Sequence, residues 1–436
     1  MNNKLKELIQ SKKAKVAVLG LGYVGLPHAL LMARAGFDVF GIDIKNQRVE
    51  SLNNGKSYIG DVKDEDLAEI IKNNKFKAFN NFEPIKDADV VVICVPTPLD
   101  KNKNPDISYI KNSAEEVKKY LRSGQLVILE STTYPGTTEE IVLPILEESG
   151  LKIGKDFYLV FAPERIDPGN SMAHSEIPKV VGGITKECTD LGVLFYSQFL
   201  SRVHPVSSAK TAEMAKILEN TFRLVNISMI NELSLLCGKM RIDIWEVIEA
   251  AKTKPYGFMP FYPSPKAGGH CIPLDPFYLS YKAREFNFWA KFIELAGEVN
   301  EQMPHFIVTK INYWLNKNKK SINGSKILLW GASYKKDIAD SRESGFYDVA
   351  KILIKKGADV DFFDPFVKEV VVGDGALKDR ALVSIKYTPQ VLGKYDIVVI
   401  LTDHSGFDYE EIGKKSKLVV DTRNAIKDRN LKNIIW

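Results

Sequence analysis

The sequence is poor in cysteine. Its 436 residues include four, Cys94, Cys188, Cys237 and Cys271, far apart and with no C-x-x-C pair. That spacing argues against a disulfide framework and against a structural zinc site; no metal is expected, and a reducing, cytoplasmic setting is. Long apolar runs are also missing. None approaches the roughly 18 residues of a membrane span, and the charged first 13 residues have no apolar centre, so neither a spanning helix nor a secretory signal is expected. A strong charge of one sign is lacking too: Lys and Arg number 60 against 55 Asp and Glu, a formal +5. Basic groups such as Lys12-Lys13 and Lys317 to Lys320 read as solvated faces, and a nucleic-acid partner is not expected. What remains is ordinary globular composition, 45% hydrophobic and 26% charged, in a chain long enough for two or three domains.

The first organised stretch is Lys15-Val-Ala-Val-Leu19, a β-rich run leading directly into Gly20-Leu-Gly22-Tyr23-Val24-Gly25, with a helical pattern from Leu26 to Ala35 and a second strand, Asp38 to Ile42, ending at Asp43. A G-x-G-x-x-G alone is weak. Between a strand and a helix, with an acid about twenty residues on, it is specific for a dinucleotide. Gly20 makes the tight turn, Gly22 lets the backbone approach a pyrophosphate, and Gly25 lets helix and strand pack closely. Tyr23 and Val24 lie within the same turn. The helix N-terminus supplies free N–H groups for the pyrophosphate. Asp43 would accept from ribose hydroxyls and repel a 2′-phosphate, which predicts NAD. Arg48 either stacks on the adenine or pairs with Asp43.

Further buried strands follow. Ala88 to Val95 ends at Pro96-Thr97-Pro98, and Leu126 to Leu129 ends at Glu130-Ser-Thr-Thr133. Ligands of open α/β sheets sit beyond the carboxyl ends of strands, so Thr97 and Thr133 are candidates to touch cofactor or substrate; turn chemistry beside proline is the alternative for each. Phe157 to Phe161 ends in Ala162-Pro-Glu164-Arg165-Ile-Asp-Pro-Gly-Asn170. Glu164 suits a water-activating base and Arg165 an anion contact; a surface ion pair is the alternative.

From Lys210 to Met240 there is almost no helix breaker. Glu213, Lys216, Asn220 and Arg223 share one face by their spacing, and Leu218, Val225, Met229 and Leu233 form an apolar stripe elsewhere. Most polar helix faces meet water. The other reading has Lys216 and Asn220 holding a sugar hydroxyl or a developing oxyanion. Asp243 to Ile248 continues in helix, and apolar helices between two α/β lobes suit a dimer interface. The aromatic loop Lys254 to Pro263, with Phe261 and Tyr262, suits a planar base or sugar ring. Next comes Pro265-Lys-Ala-Gly268-Gly-His-Cys271-Ile-Pro-Leu-Asp275-Pro. A thiol behind a glycine pair and before a helix N-terminus, with Asp275 as N-cap, is placed for a nucleophilic thiolate. A buried structural cysteine is the alternative.

The last third repeats the alternating pattern without a G-x-G-x-x-G. The strands Lys326 to Trp330, Asp359 to Phe363, Asp396 to Leu401 and Lys417 to Asp421 carry Lys335, Arg342 and Arg423 near their ends, and Ser341 to Ser344 opens a helix. Cations there suit a pyrophosphate gripped by side chains. The prediction is an α/β protein of two Rossmann-like doubly wound lobes joined by a central helical segment, with boundaries 1–205, 206–310 and 311–436.

These motifs together, GLGYVGLP at Gly20, the EST-T-x-PG-T run at Glu130, APER at Ala162, AEMAKILEN at Ala212, GGHCIPLD at Gly268 and ASYKKDIADSRES at Ala332, resemble the UDP-glucose/GDP-mannose dehydrogenase family over nearly the whole chain. The resemblance implies an NAD-binding domain, a central dimerisation segment carrying the catalytic loop, and a UDP-sugar-binding domain. It implies oxidation of a sugar C6 alcohol to a carboxylate with NAD, in a homodimer. It further implies Cys271 as catalytic cysteine, Lys216 and Asn220 steadying the reacting oxygen, Asp275 near both, Glu164 handling the hydrolytic water, and Thr133 near that water and the nicotinamide. Lys335, Arg342 and Arg423 match basic residues of the UDP and cofactor clefts, with Arg342 on the cofactor side; Arg165, Arg223, Phe261, Tyr262 and Gly268 fall to the substrate. GGHC and the ER-x-DPGN run look like the branch acting on UDP-N-acetylhexosamines, which makes UDP-N-acetylglucosamine the preferred substrate and UDP-N-acetylmannosamine or UDP-glucose the alternatives. The loop departs from the usual FYPGPGLGGHC at Ser264-Pro-Lys-Ala267. More distant alternatives are a β-hydroxyacid dehydrogenase, needing no cysteine, and a non-catalytic nucleotide-binding module.

Overall fold

The structure, a computed structural model, describes residues 3–60, 62–166, 174–373 and 378–435. The chain forms two compact units. The first is Met1–Glu219 with Phe277–Phe288, and the second is Asn220–Pro276 with Trp289–Trp436.

The first unit is built on eight strands: β1 Lys15–Leu19, β2 Asp38–Ile42, β3 Phe76–Phe79, β4 Val90–Ile93, β5 Gln125–Leu129, β6 Phe157–Phe161, β7 Lys179–Gly183 and β8 Val203–Pro205. They lie in the order β3-β2-β1-β4-β5-β6-β7-β8. Pairing is parallel as far as β6, antiparallel from β6 to β7, and parallel again to β8. The central strands read as continuous apolar runs because both faces are covered. Val16, Val18, Val90, Val92, Leu126 and Ile128 enter one core. Their alternating neighbours Ala17, Leu19, Val91, Ile93, Val127 and Leu129 enter the other. The strand order reverses between β1 and β4, and the crevice beyond their carboxyl ends is where such sheets hold ligands.

The second unit has a five-stranded parallel sheet, β10-β9-β13-β14-β15, of β9 Lys326–Trp330, β10 Asp359–Phe363, β13 Ile397–Ile400, β14 Val419–Asp421 and β15 Ile434–Ile435, plus an antiparallel pair, β11 Glu369–Val372 and β12 Arg380–Val383. It too is covered on both faces, with Ile327 and Leu329 in one core and Leu328 and Trp330 in the other.

Six helices matter for the site: α1 Gly25–Arg34, α2 Lys186–Tyr196, α3 Ala209–Met240, α4 Asp275–Ala283, α5 Lys291–Lys317 and α6 Gly345–Lys355. The unit boundary falls within α3 and again within α4. Several elements differ from expectation at their ends. The expected strand Ala88 to Val95 is regular strand over Val90–Ile93, with Asp89 N and Cys94 N still bonded to the neighbouring strand. The long helix does not run on past Met240: Arg241 takes φ 60°, and Asp243 caps a separate helix, Ile244–Lys252, by accepting from Trp245 N at 2.9 Å. Asp275 is the first residue of α4 rather than a cap outside it. Ser344 caps α6, accepting from Phe346 N, so that helix opens later than the Ser341 to Ser344 run suggests. No helix among the described residues is long and apolar enough to cross a membrane.

Candidate functional site

In the first unit each glycine of the fingerprint meets a different constraint. Gly20 has φ +89°, and a Cβ there would lie 2.6 Å from the Cys94 carbonyl oxygen. At Gly25 a Cβ would fall 1.9 Å from the Gly20 carbonyl oxygen, so α1 packs on the turn only without a side chain. At Gly22 a Cβ would meet nothing within 4 Å, which leaves the backbone open to a ligand. Half-exposed Tyr23 and half-buried Val24 follow. The buried Asp43 carboxylate accepts from Leu21 N at 3.2 Å, Lys45 N at 3.0 Å and Arg48 Nη1 at 3.2 Å, while the Arg48 guanidinium lies 5.1 Å over the Tyr58 ring. Of the two readings for Arg48, the structure has the ion pair. An open approach at Gly22 and an acid at the end of β2 fit a dinucleotide with a free 2′-hydroxyl.

The strand-end threonines are internally satisfied. Thr97 Oγ1 donates to the Thr132 carbonyl at 2.7 Å, and Thr133 Oγ1 shares a 2.8 Å hydrogen bond with Thr137 Oγ1. Both side chains brace the loops that follow β4 and β5.

The polar stripe of α3 does not face water. Glu213, Lys216 and Asn220 are all buried. Glu213 accepts from Gly136 N, Thr138 N and Thr138 Oγ1, and burial pushes its carboxyl up to about 7. Lys216 is 7% exposed and has no hydrogen bond or ion pair with any described residue. Exposed instead are Leu218, Met229 and Leu233 of the apolar stripe.

Glu164, after β6, sits in a closed ionic cluster that the sequence reading missed. Its Oε2 meets His28 Nε2 at 2.5 Å and Lys179 Nζ at 3.0 Å; its Oε1 accepts from Arg165 N at 2.6 Å and Ile166 N at 2.7 Å. On the other side of His28, Nδ1 lies 2.6 Å from Glu130 Oε2, and Glu130 also meets Lys179 at 3.2 Å, the Cys94 thiol at 3.3 Å and the Tyr196 hydroxyl. Burial alone would lower the imidazole, but Glu130 and Glu164 raise it to about 9. Burial would raise Glu164, but Lys179 and His28 hold it well below the usual carboxylate range; in the same way His28 and Lys179 hold Glu130 at about 2. The ligand-type atoms of His28, Glu130 and Glu164 lie within 4.8 Å of one another, as in a metal centre. The Lys179 ammonium on both carboxylates supplies the positive charge instead. Glu130 stood in a strand-end run already singled out; His28 and Lys179 carry no sequence signal. Arg165 pairs with Glu219 at 2.7 Å and donates to the Pro178 carbonyl at 2.8 Å. Residues 167–170 of the ER-x-DPGN run lie outside the described residues.

In the second unit, Gly268 and Gly269 thread a narrow gap. A Cβ on Gly268 would lie 2.7 Å from Tyr334 Cβ and 2.9 Å from the Glu343 carbonyl oxygen; Gly269 has φ +85° and donates its N–H to the Arg342 carbonyl at 3.0 Å. The chain emerges at Cys271, the one exposed cysteine of the four. Its carbonyl accepts from Leu274 N and Asp275 N, forming the turn into α4. Asp275 is buried and accepts from Asn220 Nδ2 at 2.6 Å. Burial first, then the Arg342 charge, lowers the neighbouring His270 imidazole. Lys266, in the segment that departs from the usual loop, is buried and reaches Asp348 on α6 at 2.8 Å and Glu301 on α5 at 3.3 Å.

The aromatic pair is docked within this unit: Phe261 lies edge-on to Phe222 at 5.8 Å, and Tyr262 stacks on Trp245 at 5.7 Å while donating to Glu249 at 2.9 Å. Arg423 donates to Asp403 at 3.1 Å and to the Pro263 carbonyl at 3.1 Å, tying this loop to the end of β14. Arg342 forms a forked pair with Asp340, down to 2.6 Å. Lys335 and Arg223 are half-buried. The counterpart of Asp43 here is Asp364, at the end of β10. Fully buried, it accepts from Ala332 N, Ser333 N and His404 Nε2, and so has no open side for a ribose.

Asn220, Arg223, Phe261, Tyr262, Gly268, Cys271, Asp275, Lys335, Arg342 and Arg423 belong to the second unit. Gly20, Gly22, Gly25, Asp43, Arg48, Thr97, Thr133, Glu164, Arg165 and Lys216 belong to the first.

Comparison with known proteins finds three models of one family, described as UDP-glucose/GDP-mannose dehydrogenase: the NAD binding domain over residues 14–200, the central domain over 210–302 and the UDP binding domain over 328–428. The chain is 35% identical over 426 residues to a UDP-N-acetyl-D-glucosamine 6-dehydrogenase of Pseudomonas aeruginosa, covering 96% of this chain and 98% of that one. It is 35% identical over 421 residues to a UDP-N-acetyl-D-mannosamine dehydrogenase of Pyrococcus horikoshii, covering 95% and 96%. A solved UDP-D-ManNAc dehydrogenase structure from Pyrococcus horikoshii superposes with a TM-score of 0.85 at 33% identity, over 95% of this chain and 96% of the other.

Proposed function

Because the chain belongs to the UDP-glucose/GDP-mannose dehydrogenase family and is an NAD-dependent UDP-sugar 6-dehydrogenase, we propose that it oxidises C6 of UDP-N-acetylglucosamine from alcohol to carboxylate by way of a covalent bond to Cys271. The reading is carried by Cys271 itself: of four cysteines it alone is exposed, at the open end of a glycine turn. A mannosamine substrate is the second reading, supported by equal identity to the Pyrococcus horikoshii relative.

NAD, when bound, supplies the hydride acceptor for both oxidations. Gly20, Gly22 and Gly25 would form the turn that receives its pyrophosphate, and Asp43 would take the ribose hydroxyls. Lys335 and Arg423 grip the UDP phosphates, with Phe261 and Tyr262 beside the nucleoside; Arg342 acts on the cofactor side. In the first oxidation C6 loses a hydride and its hydroxyl a proton, giving the aldehyde. The Cys271 thiolate then adds to C6, and the new oxyanion takes a proton to give a thiohemiacetal. Loss of a second hydride and a proton leaves a thioester. Water adds to it, the C–S bond breaks, and the acid leaves with the thiol restored. The Lys216 ammonium stabilises each oxyanion, and Asn220, held by Asp275, donates to the same oxygen. Glu164 and Thr133 serve the water step.

The test is a panel of UDP-sugars with NAD, read by NADH yield and acid product. Two NADH per sugar are expected, best with UDP-N-acetylglucosamine. A yield of one would fit a simple hydroxyacid-type dehydrogenase instead. Cys271→Ser is expected to lower full oxidation by at least about a thousandfold, and a variant that makes uronic acid at the normal rate would sink the covalent route. A homodimer through α3 is part of the same proposal, supported by its exposed apolar stripe.

A further inference from the structure

Both ring nitrogens of His28 face carboxylate oxygens, Glu130 Oε2 at 2.6 Å and Glu164 Oε2 at 2.5 Å. A neutral imidazole has a single N–H and satisfies one such contact; an imidazolium satisfies two. The cluster then balances: His28 and Lys179 are positive, Glu130 and Glu164 negative, and all four side chains are nearly or wholly buried. Glu164 meanwhile accepts four donors, two on each oxygen, which fixes the orientation of its carboxylate.

We propose that His28 is a positioning residue for the water-consuming half of the reaction, an imidazolium wedged between Glu130 and Glu164 that keeps Glu164 ionised and fixes where its charge points. This rests on the reading of Glu164 as the residue that serves the water step. Three charged groups act on His28 directly. They are Glu130 after β5, Glu164 after β6 and Lys179 on β7, with Tyr196 of α2 and Cys94 after β4 bonded to Glu130 in turn. Remove the imidazolium and one ammonium is left between two buried carboxylates. A buried unpaired charge is relieved by taking up a proton, so Glu164 or Glu130 becomes a neutral acid at a pH where neither is one now. A neutral Glu164 no longer presents a negative charge to water, and hydrolysis of the Cys271 thioester slows while hydride transfer does not.

The sign follows from the directions of the shifts. In the native cluster Glu164 stays ionised across neutral pH, held low by Lys179 and His28, and His28 loses its proton only as pH rises through about 9. The experiment measures product formation from pH 5 to 10 and Cys271 adducts by intact mass in quenched turnover, for wild type, His28→Gln, His28→Lys and Glu164→Gln. NAD affinity and the first-turnover hydride rate are read alongside. In His28→Gln the acid limb of product formation is expected to rise by more than about two pH units and so enter the measured range, with about tenfold slower turnover and accumulated adduct at pH 6, and first-turnover hydride transfer within about threefold of wild type. His28→Lys, carrying a permanent cation, should return the acid limb to the wild-type position and lose the fall above pH 9. A wild-type profile without adduct in His28→Gln, while Glu164→Gln accumulates adduct, overturns the His28 proposal alone. Normal hydrolysis in Glu164→Gln overturns the reading of Glu164 beneath it. If His28→Gln fails to fold, His28→Lys decides: retention of the alkaline limb near pH 9 overturns the proposal.

Discussion

At Asp43 one carboxylate serves two ends. It accepts from the Leu21 and Lys45 backbone, closing the fingerprint turn, and it holds Arg48, whose guanidinium also lies on Tyr58. An arginine so engaged has to leave both partners before it can receive a 2′-phosphate, so the site as built disfavours NADP. Asp43→Asn keeps the shape and removes the charge. Losing one charged hydrogen bond to a ribose costs roughly 1.5–3 kcal/mol, so the KM for NAD is expected to rise about tenfold or more while the preference over NADP shrinks. Steady-state kinetics with both cofactors checks this, and an unchanged preference would show that discrimination lies elsewhere.

The loop from Pro265 to Cys271 shows how an element outside regular structure is held. Asn300 Oδ1 accepts from Ala267 N at 2.6 Å, the Arg342 carbonyl accepts from Gly269 N, and Lys266 reaches Asp348 and Glu301. A lysine stands where this loop more usually has a glycine, and it is a peg rather than a spacer: its stem lies against Gly345 at the start of α6. Glu301 is half-exposed and Asp348 partly so, which weakens the pairs through solvent screening, so Lys266→Ala is expected to cost about 1–2 kcal/mol rather than the larger penalty of a fully buried pair. A thermal melt checks the stability. Faster alkylation of Cys271 by iodoacetamide, with kcat falling more than KM rises, is the expected sign that the peg also steadies the thiol. Unchanged alkylation would confine Lys266 to stability.

On the scale of the molecule, the two sheets share a plan and differ in use. β10-β9-β13-β14 repeats the order β2-β1-β4-β5, but Asp364 is consumed where Asp43 is available. The proposed cofactor reading uses Asp43 at that point, whereas the proposed substrate reading rests on Lys335 and Arg423. The second unit also presents Phe222, Met229, Leu233, Leu236 and Met240 along α3, all exposed in the single chain. Their spacing puts them on one stripe, and apolar stripes of that kind mark association surfaces. The homodimer proposal predicts that Met229→Glu combined with Leu233→Glu yields a monomer by light scattering at concentrations where the parent is a dimer. A parent that is itself monomeric would remove the proposal.

Some of this protein is legible without a structure because it is local. The strand and helix around Gly20 follow from residues within thirty positions of one another, and the turn before Cys271 follows from Gly268-Gly269 and Pro276. Burial is not local. The stripe of Glu213, Lys216 and Asn220 looks like a solvated face and is buried, while Leu218, Met229 and Leu233 of the apolar stripe are exposed, because periodicity reveals that a helix has two faces and not which one meets the protein. His28 and Glu130 are 102 residues apart, and nothing near either announces the other. Only the parallel sheet, by bringing the ends of β4, β5 and β6 side by side next to α1, makes a lone histidine and two carboxylates one charged unit.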